Sequence, residues 1–180
     1  MITMAKAPGG SAIFDARRRR AATLSGEQLH IPGAAPLTRQ GWNTDHWETP
    51  WPLVHALEAE FGSFDLDPCA TEENAKAPSY YTEAEDGLRL TWAPRRVFCN
   101  PPYSAVDVWI RKAIDEVASG AYVVMLLPVR TDRDWWHDLL QPHAGYIRFL
   151  RGRQRFIGPD GSTVGRPVFA SCIAILGVRR

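Results

Sequence analysis

The sequence predicts an α/β domain whose sheet is largely parallel and turns antiparallel at its C-terminal end. Three observations carry this. Strand and helix candidates alternate between residues 50 and 140, as in β-α-β units. Residues 121–127 are an unbroken apolar run, the pattern of a strand buried on both faces. The last strand candidates lie too close together for helical crossovers, so they return antiparallel. A length of 180 residues suits one compact domain.

Residues 1–40 are rich in Ala, Gly, Pro and Arg and sustain no period. They read as a disordered basic tail ahead of a domain over 41–180. The run Arg17-Arg18-Arg19-Arg20 within it is either a phosphate clamp or a solvated tract. Thr49-Pro50 opens a helix, with Thr as cap and Pro in the first turn. Leu53, Val54, Leu57 and Phe61 follow at helical spacing, and Gly62 ends it. Residues 64–67 form a short strand stopped by Pro68. Residues 68–94 are polar and loop-like, with room for one helical turn. Residues 96–99 form a strand running into Asn100-Pro101-Pro102-Tyr103. Ser104 caps the next helix, where Val106, Trp109, Ile110, Ala113, Ile114 and Val117 make one apolar stripe. Gly120 stands where a C-cap glycine belongs. Pro128 ends the buried strand, and 132–140 form a short helix; Thr131, Asp132 and Arg133 ahead of it either touch DNA or substrate, or Asp132 simply caps that helix. Strands over 146–150, 153–157 and 168–178 complete the sheet.

The formal net charge is +1, which excludes a histone-like protein and an acidic, wholly disordered chain. The sum hides its distribution. Residues 1–40 carry net +4, residues 41–86 net −10 and residues 87–180 net +7. Three Cys without CxxC spacing read as reduced thiols of a cytoplasmic protein. No apolar run reaches the roughly 20 residues that span a bilayer, and the N-terminus lacks a signal-peptide core. No membrane role is expected. Five His without HxxxH spacing, and scattered Cys, predict no metal site.

The chemistry concentrates at Asn100-Pro101-Pro102-Tyr103, at the carboxyl end of a buried strand, where open α/β sheets bind ligands. The two prolines fix the backbone. The Asn100 carboxamide oxygen and the Pro101 carbonyl can both accept from an exocyclic amine, while Tyr103 stacks on its ring. Two acceptors orient the nitrogen lone pair and stabilise the positive charge that grows there during attack.

Asn-Pro-Pro-Tyr after a strand resembles the catalytic motif of S-adenosylmethionine-dependent amino-methyltransferases. Further segments occur in one order around it: Trp47-Glu48-Thr49-Pro50, Leu66-Asp67-Pro68-Cys69-Ala70-Thr71, Glu73-Asn74-Ala75-Lys76, Val124-Met125-Leu126-Leu127-Pro128 and Ile147-Arg148-Phe149-Leu150-Arg151-Gly152-Arg153. Together they resemble the bacteriophage-type DNA N6-adenine methyltransferases, the phage Dam family, over residues 45–177. The resemblance implies a Rossmann-like methyltransferase fold, S-adenosylmethionine as donor and the N6 amine of adenine in double-stranded DNA as acceptor. By position it makes Asn100, Pro101, Pro102 and Tyr103 the catalytic tetrad. It assigns Trp47, Thr49 and Pro50 to the cover over the donor's methionine end, and Asp67, Pro68 and Cys69 to the donor turn. Asp65 is a further candidate carboxylate for the cationic donor, and by the resemblance Asp86, with Gly87-Leu88 behind it, matches the carboxylate facing the donor's adenosine portion. One departure is plain: the donor turn has no glycine, so close approach relies on Cys69 and Ala70 being small.

Arg148, Arg151, Arg153 and Arg155 form the densest basic cluster of the domain, and Arg130 and Arg133 flank a strand-end loop. They read as phosphate contacts beside a flipped base, or as a charged edge strand guarding against aggregation. RNA or protein glutamine is an alternative acceptor for the same chemistry. A DNA-binding or host-interaction protein that has lost catalysis is the alternative from another class, motivated by the missing glycine turn. The segments point to a phage or prophage protein acting in the bacterial cytoplasm. Target sequence and oligomeric state are not encoded in any motif.

Overall fold

The computed structural model describes residues 44–164 and 167–177. The expected tail over 1–40, its arginine run, Trp42 and the end of the last strand lie outside the described residues. Everything described belongs to one compact unit, Gln40–Arg180.

Six strands form one sheet: β1 (Leu66–Asp67), β2 (Ser79–Tyr80), β3 (Arg96–Cys99), β4 (Tyr122–Pro128), β5 (Ala144–Phe149) and β6 (Ser171–Leu176). Their spatial order is β2-β1-β3-β4-β6-β5. β1 runs parallel to β2 and β3, and β3 parallel to β4. β6 runs antiparallel to both β4 and β5. The sheet is therefore parallel except for one reversed strand, inserted between β4 and the edge strand β5.

The alternation of β4 explains its unbroken apolar run. Val123, Met125 and Leu127 face one core with Trp109, Ile110 and Ala113 of helix α2 (Val106–Ala118). Val124 and Leu126 face a second core with Val54, Leu57 and Phe61 of helix α1 (Trp51–Phe61). Successive side chains of a strand point to opposite faces, so a strand covered on both has no polar position. Burying one such side chain stabilises by roughly 1.5–3 kcal/mol.

Several boundaries differ from the sequence reading. Thr49 does not cap α1; Pro50 takes the N-cap place without a side-chain bond. Ser104 does not cap α2 either, but lies in a 3-10 turn, Tyr103–Ala105, where its N–H donates to Asp45 Oδ1 at 2.9 Å. Asp132 sits in a turn between Arg130 and Arg133, ahead of a π-helical turn Trp136–Leu140 that continues into Gln141–His143. Residues 153–157 form no strand of their own, only single bridges from Ile157 to Glu48 and Thr163.

The stretch read as a loop contains β2 and a fully buried Trp92. Trp92 Nε1 donates to the Gly87 carbonyl at 2.9 Å. The Glu116 carboxylate of α2 accepts the Trp92 and Ala93 N–H groups at 2.7 and 2.9 Å. Side-chain anchoring to α2 replaces regular structure here, which is why periodicity did not reveal it.

Candidate active site

β1, β3 and β4 are parallel neighbours, so the loops after Asp67, Cys99 and Pro128 leave the sheet at one edge. Asn100 emerges there from buried β3. Its Nδ2 donates to the Trp47 carbonyl at 3.0 Å. That bond fixes which end of the carboxamide faces where. Oδ1 is left buried with no partner among the described residues.

Tyr103 stands two prolines further on. Its hydroxyl is buried without a partner among the described residues, and burial raises its pKa far above the usual phenol range. It is a neutral group, not a base. Its ring packs edge-on to Phe156 and Phe169, at 6.2 and 5.5 Å between centroids. Trp47 packs on the same two rings at 5.4 and 6.0 Å. Phe156 and Phe169 thus hold the aromatic groups of two distant segments together. Sequence reading did not assign them, because the irregular segments that carry them have no period.

Two openings flank the tetrad. The Asn100 side holds a cavity lined by Trp47, Glu48, Thr49, Asp67, Cys69 and Lys76, among others. Asp67 is 4% exposed. Its carboxylate accepts the N–H of Cys69 at 3.4 Å and of Lys76 at 3.1 Å. Burial raises its pKa to about 6, against those N–H groups and the Lys76 charge, which lower it. Thr49 Oγ1 and Trp47 Nε1 are buried without partners among the described residues. The Tyr103 side holds a cleft of about 560 Å³, lined by Tyr103, Arg130, Arg133, Trp135, Val168 and Phe169.

The sequence-predicted residues divide accordingly. Asn100, Tyr103, Trp47, Thr49, Asp67 and Cys69 come together; Pro101 and Pro102 join them through the backbone, and Pro50 caps α1 behind the cavity. Asp65 does not join them. It is exposed at the amino end of β1, where its carboxylate accepts the Arg96 N–H at 2.8 Å. Asp86 has a φ of 58° and accepts the N–H of Leu88 at 3.2 Å; it shapes its own turn outside the cavity lining. That turn packs directly on the donor-turn candidate: a Cβ at Gly87 would lie 1.9 Å from the Pro68 carbonyl oxygen, so only glycine fits there.

Arg130 and Arg133 line the cleft, and Arg151, Arg153 and Arg155 line a separate basic hollow. Arg153 also donates to the Pro167 carbonyl. Arg148 lines neither. Its guanidinium pairs with Glu60 at 2.6 Å and lies over the Phe61 ring. Among the described residues no group of three or more His, Cys, Asp or Glu is placed to hold a metal. No described helix is long and apolar enough to cross a membrane.

A cavity bearing Asp67 on the Asn100 side and a cleft bearing Arg130, Arg133 and Asp107 on the Tyr103 side flank the strand-end Asn-Pro-Pro-Tyr of a mixed α/β sheet. The DNA N-6-adenine-methyltransferase (Dam) family model matches residues 38–176, and the chain belongs to that family. It is 34% identical over 104 residues to a DNA N-6-adenine-methyltransferase of Escherichia phage T1, covering 57% of this chain and 44% of the relative. To the protein of that name from Haemophilus phage HP1 it is 38% identical over 118 residues, 64% and 68% of the two chains. A putative methyltransferase YfdM of Escherichia coli is 35% identical over 65 residues, 33% of this chain and 71% of that one. The matched region therefore spans less than half of the T1 phage relative.

Proposed function

We propose that the protein transfers a methyl group from S-adenosylmethionine to the N6 amine of adenine in duplex DNA, with the target base turned out into the cleft beside Tyr103. The observation that carries this reading is the Asn100 carboxamide. Its nitrogen is engaged by Trp47, and its oxygen is a buried acceptor without a partner. An unmatched buried acceptor costs roughly 1–3 kcal/mol. An amine entering from the cleft removes that cost. With the Pro101 carbonyl as second acceptor, both N–H bonds are held and the lone pair is aimed away from them. The same acceptors stabilise the charge that grows on nitrogen in the transition state. The neutral amine attacks first and its proton leaves afterward to water, so no side chain serves as base beforehand.

The residues of the other cavity fit the donor. Asp67 is a carboxylate suited to a cation, and Thr49 Oγ1 and Trp47 Nε1 are buried polar atoms in need of partners. When bound, S-adenosylmethionine supplies an electrophilic methyl on a sulfonium. Trp47 and Asp67 would hold that positive charge, and Phe156 and Phe169 back the Trp47 ring. Opening the duplex costs a few kcal/mol, offset by stacking on Tyr103 and by phosphate contacts at Arg130 and Arg133. The strand order, with one reversed strand beside the edge, supports a Rossmann-like methyltransferase fold. The phage relatives support a phage or prophage protein acting in the bacterial cytoplasm.

The test is labelled-methyl transfer from S-adenosylmethionine to unmethylated duplex DNA, RNA and protein side by side. Methyladenine in DNA is expected. Label in RNA or glutamine alone overturns the acceptor, and absence of donor binding by calorimetry overturns the enzyme reading.

A further inference from the structure

Lys76 is 3% exposed, although lysines are rarely buried unless paired. Its surroundings account for this. Its Nζ meets Glu48 Oε1 at 2.5 Å and lies 4.6 Å from the centroid of the Trp51 ring. Its own N–H donates to Asp67 Oδ2 at 3.1 Å. One residue thus touches both the donor turn and the segment over it. Glu48 is also fixed by its backbone, which exchanges hydrogen bonds of 2.8 and 3.0 Å with Ile157. The next carbonyl back, that of Trp47, is the one that holds Asn100.

We propose that Lys76 is a positioning residue, which ties the Asp67 turn to the Trp47–Glu48 segment and, through the Trp47 carbonyl, holds the Asn100 oxygen toward the acceptor amine. The proposal rests on the transfer reading above. Lys76 borders the donor cavity, and the role assigned to its ammonium is the tie to Glu48 and Trp51. A buried ammonium is a costly tie, because removing one partner leaves the other charge unpaired. It is also a directional one, since Nζ cannot slide along Glu48 without losing the Trp51 face.

Charge gives a readout that plain scaffolding does not. Asp67 faces Lys76 and the Cys69 thiol, with Cys99 behind Cys69 and Glu48 beyond Lys76. Lys76→Met removes a positive charge and raises the pH at which Asp67 ionises. Glu48→Gln keeps an oxygen acceptor for Nζ, leaves the Lys76 charge uncompensated and lowers that pH.

The experiment compares wild type, Lys76→Met, Glu48→Gln and the double variant. It reads donor Kd by calorimetry across pH 5–8, methyl transfer to duplex DNA at saturating donor, and thermal melting. Lys76→Met should weaken donor binding about tenfold and lower kcat further at saturating donor. Its pH profile should move to higher pH, and that of Glu48→Gln to lower pH. The double variant should be less impaired than the two single losses multiplied together. Unchanged kcat and an unshifted profile in Lys76→Met overturn the proposal, as do multiplicative losses. If Lys76→Met does not fold, Glu48→Gln decides alone: an unshifted profile overturns the proposal. A wild type that binds no donor or transfers no methyl sinks the underlying reading instead.

Discussion

Asn100 combines a spent nitrogen with an unspent oxygen, so its two halves have separable consequences. Asn100→Ala should lower methyl transfer about 100-fold or more, in line with losing one preorganised transition-state partner. Donor affinity by calorimetry should stay within about threefold. Full activity in that variant would remove the carboxamide from catalysis. Asp67 has a pH signature. A carboxyl with a folded pKa of about 6 against 3.8 binds its proton more tightly in the fold than in the unfolded chain. Its contribution to stability therefore declines as pH rises from about 4 to about 6, and the full cost is present above that. Donor affinity should run the other way, rising through pH 6 as the carboxylate forms. Calorimetry on Asp67→Asn should show both trends flattened. The strand-end positions of the tetrad and of Asp67 were legible because Pro68 and Pro101-Pro102 stop the short strand candidates before them. Lys76 was legible only in outline, as the lone basic residue of the acidic 41–86 segment. Its ion pair joins positions 28 apart in the chain, and no local spacing encodes that.

At the scale of elements, β4 and α2 were readable, because burial on two faces or one stripe writes itself into periodicity. β1 and β2 have two residues each; β1 was readable only through its stop at Pro68, and β2 is too short for a period to register. Their pairing is set by what surrounds them, including the Gly87 turn against Pro68. Gly87→Ala should therefore destabilise the domain by about 1–3 kcal/mol, because a backbone carbonyl must move. Urea denaturation measures it, and a change below a few tenths would mean that the turn yields freely. The same variant should weaken donor binding, since Pro68 follows Asp67 directly. Arg148 teaches the opposite lesson: a basic residue in a basic run reads as a phosphate contact, yet Glu60 of α1 takes its charge.

For the molecule as a whole, the segregation of charge visible in the sequence maps onto the two openings. The acidic segment supplies Glu48 and Asp67 to one opening, and the later basic residues supply Arg130 and Arg133 to the other. DNA affinity should fall steeply with salt while donor affinity changes little. Arg130→Ala and Arg133→Ala should each reduce the logarithmic salt slope by about 1, and Arg148→Ala should leave it unchanged. Fluorescence titration at several salt concentrations checks all three, and equal slopes throughout would move the DNA elsewhere. The reversed strand has a consequence of its own. β6 is the sixth strand in chain order but an interior strand in space, buried along its whole length. A ribosome making this chain delivers that strand after the entire tetrad has emerged. Until residue 176 is out, β4 has no partner on one side and β5 has none between itself and β4. An interrupted message therefore yields a chain that carries the Asn-Pro-Pro-Tyr segment but an incomplete sheet around it.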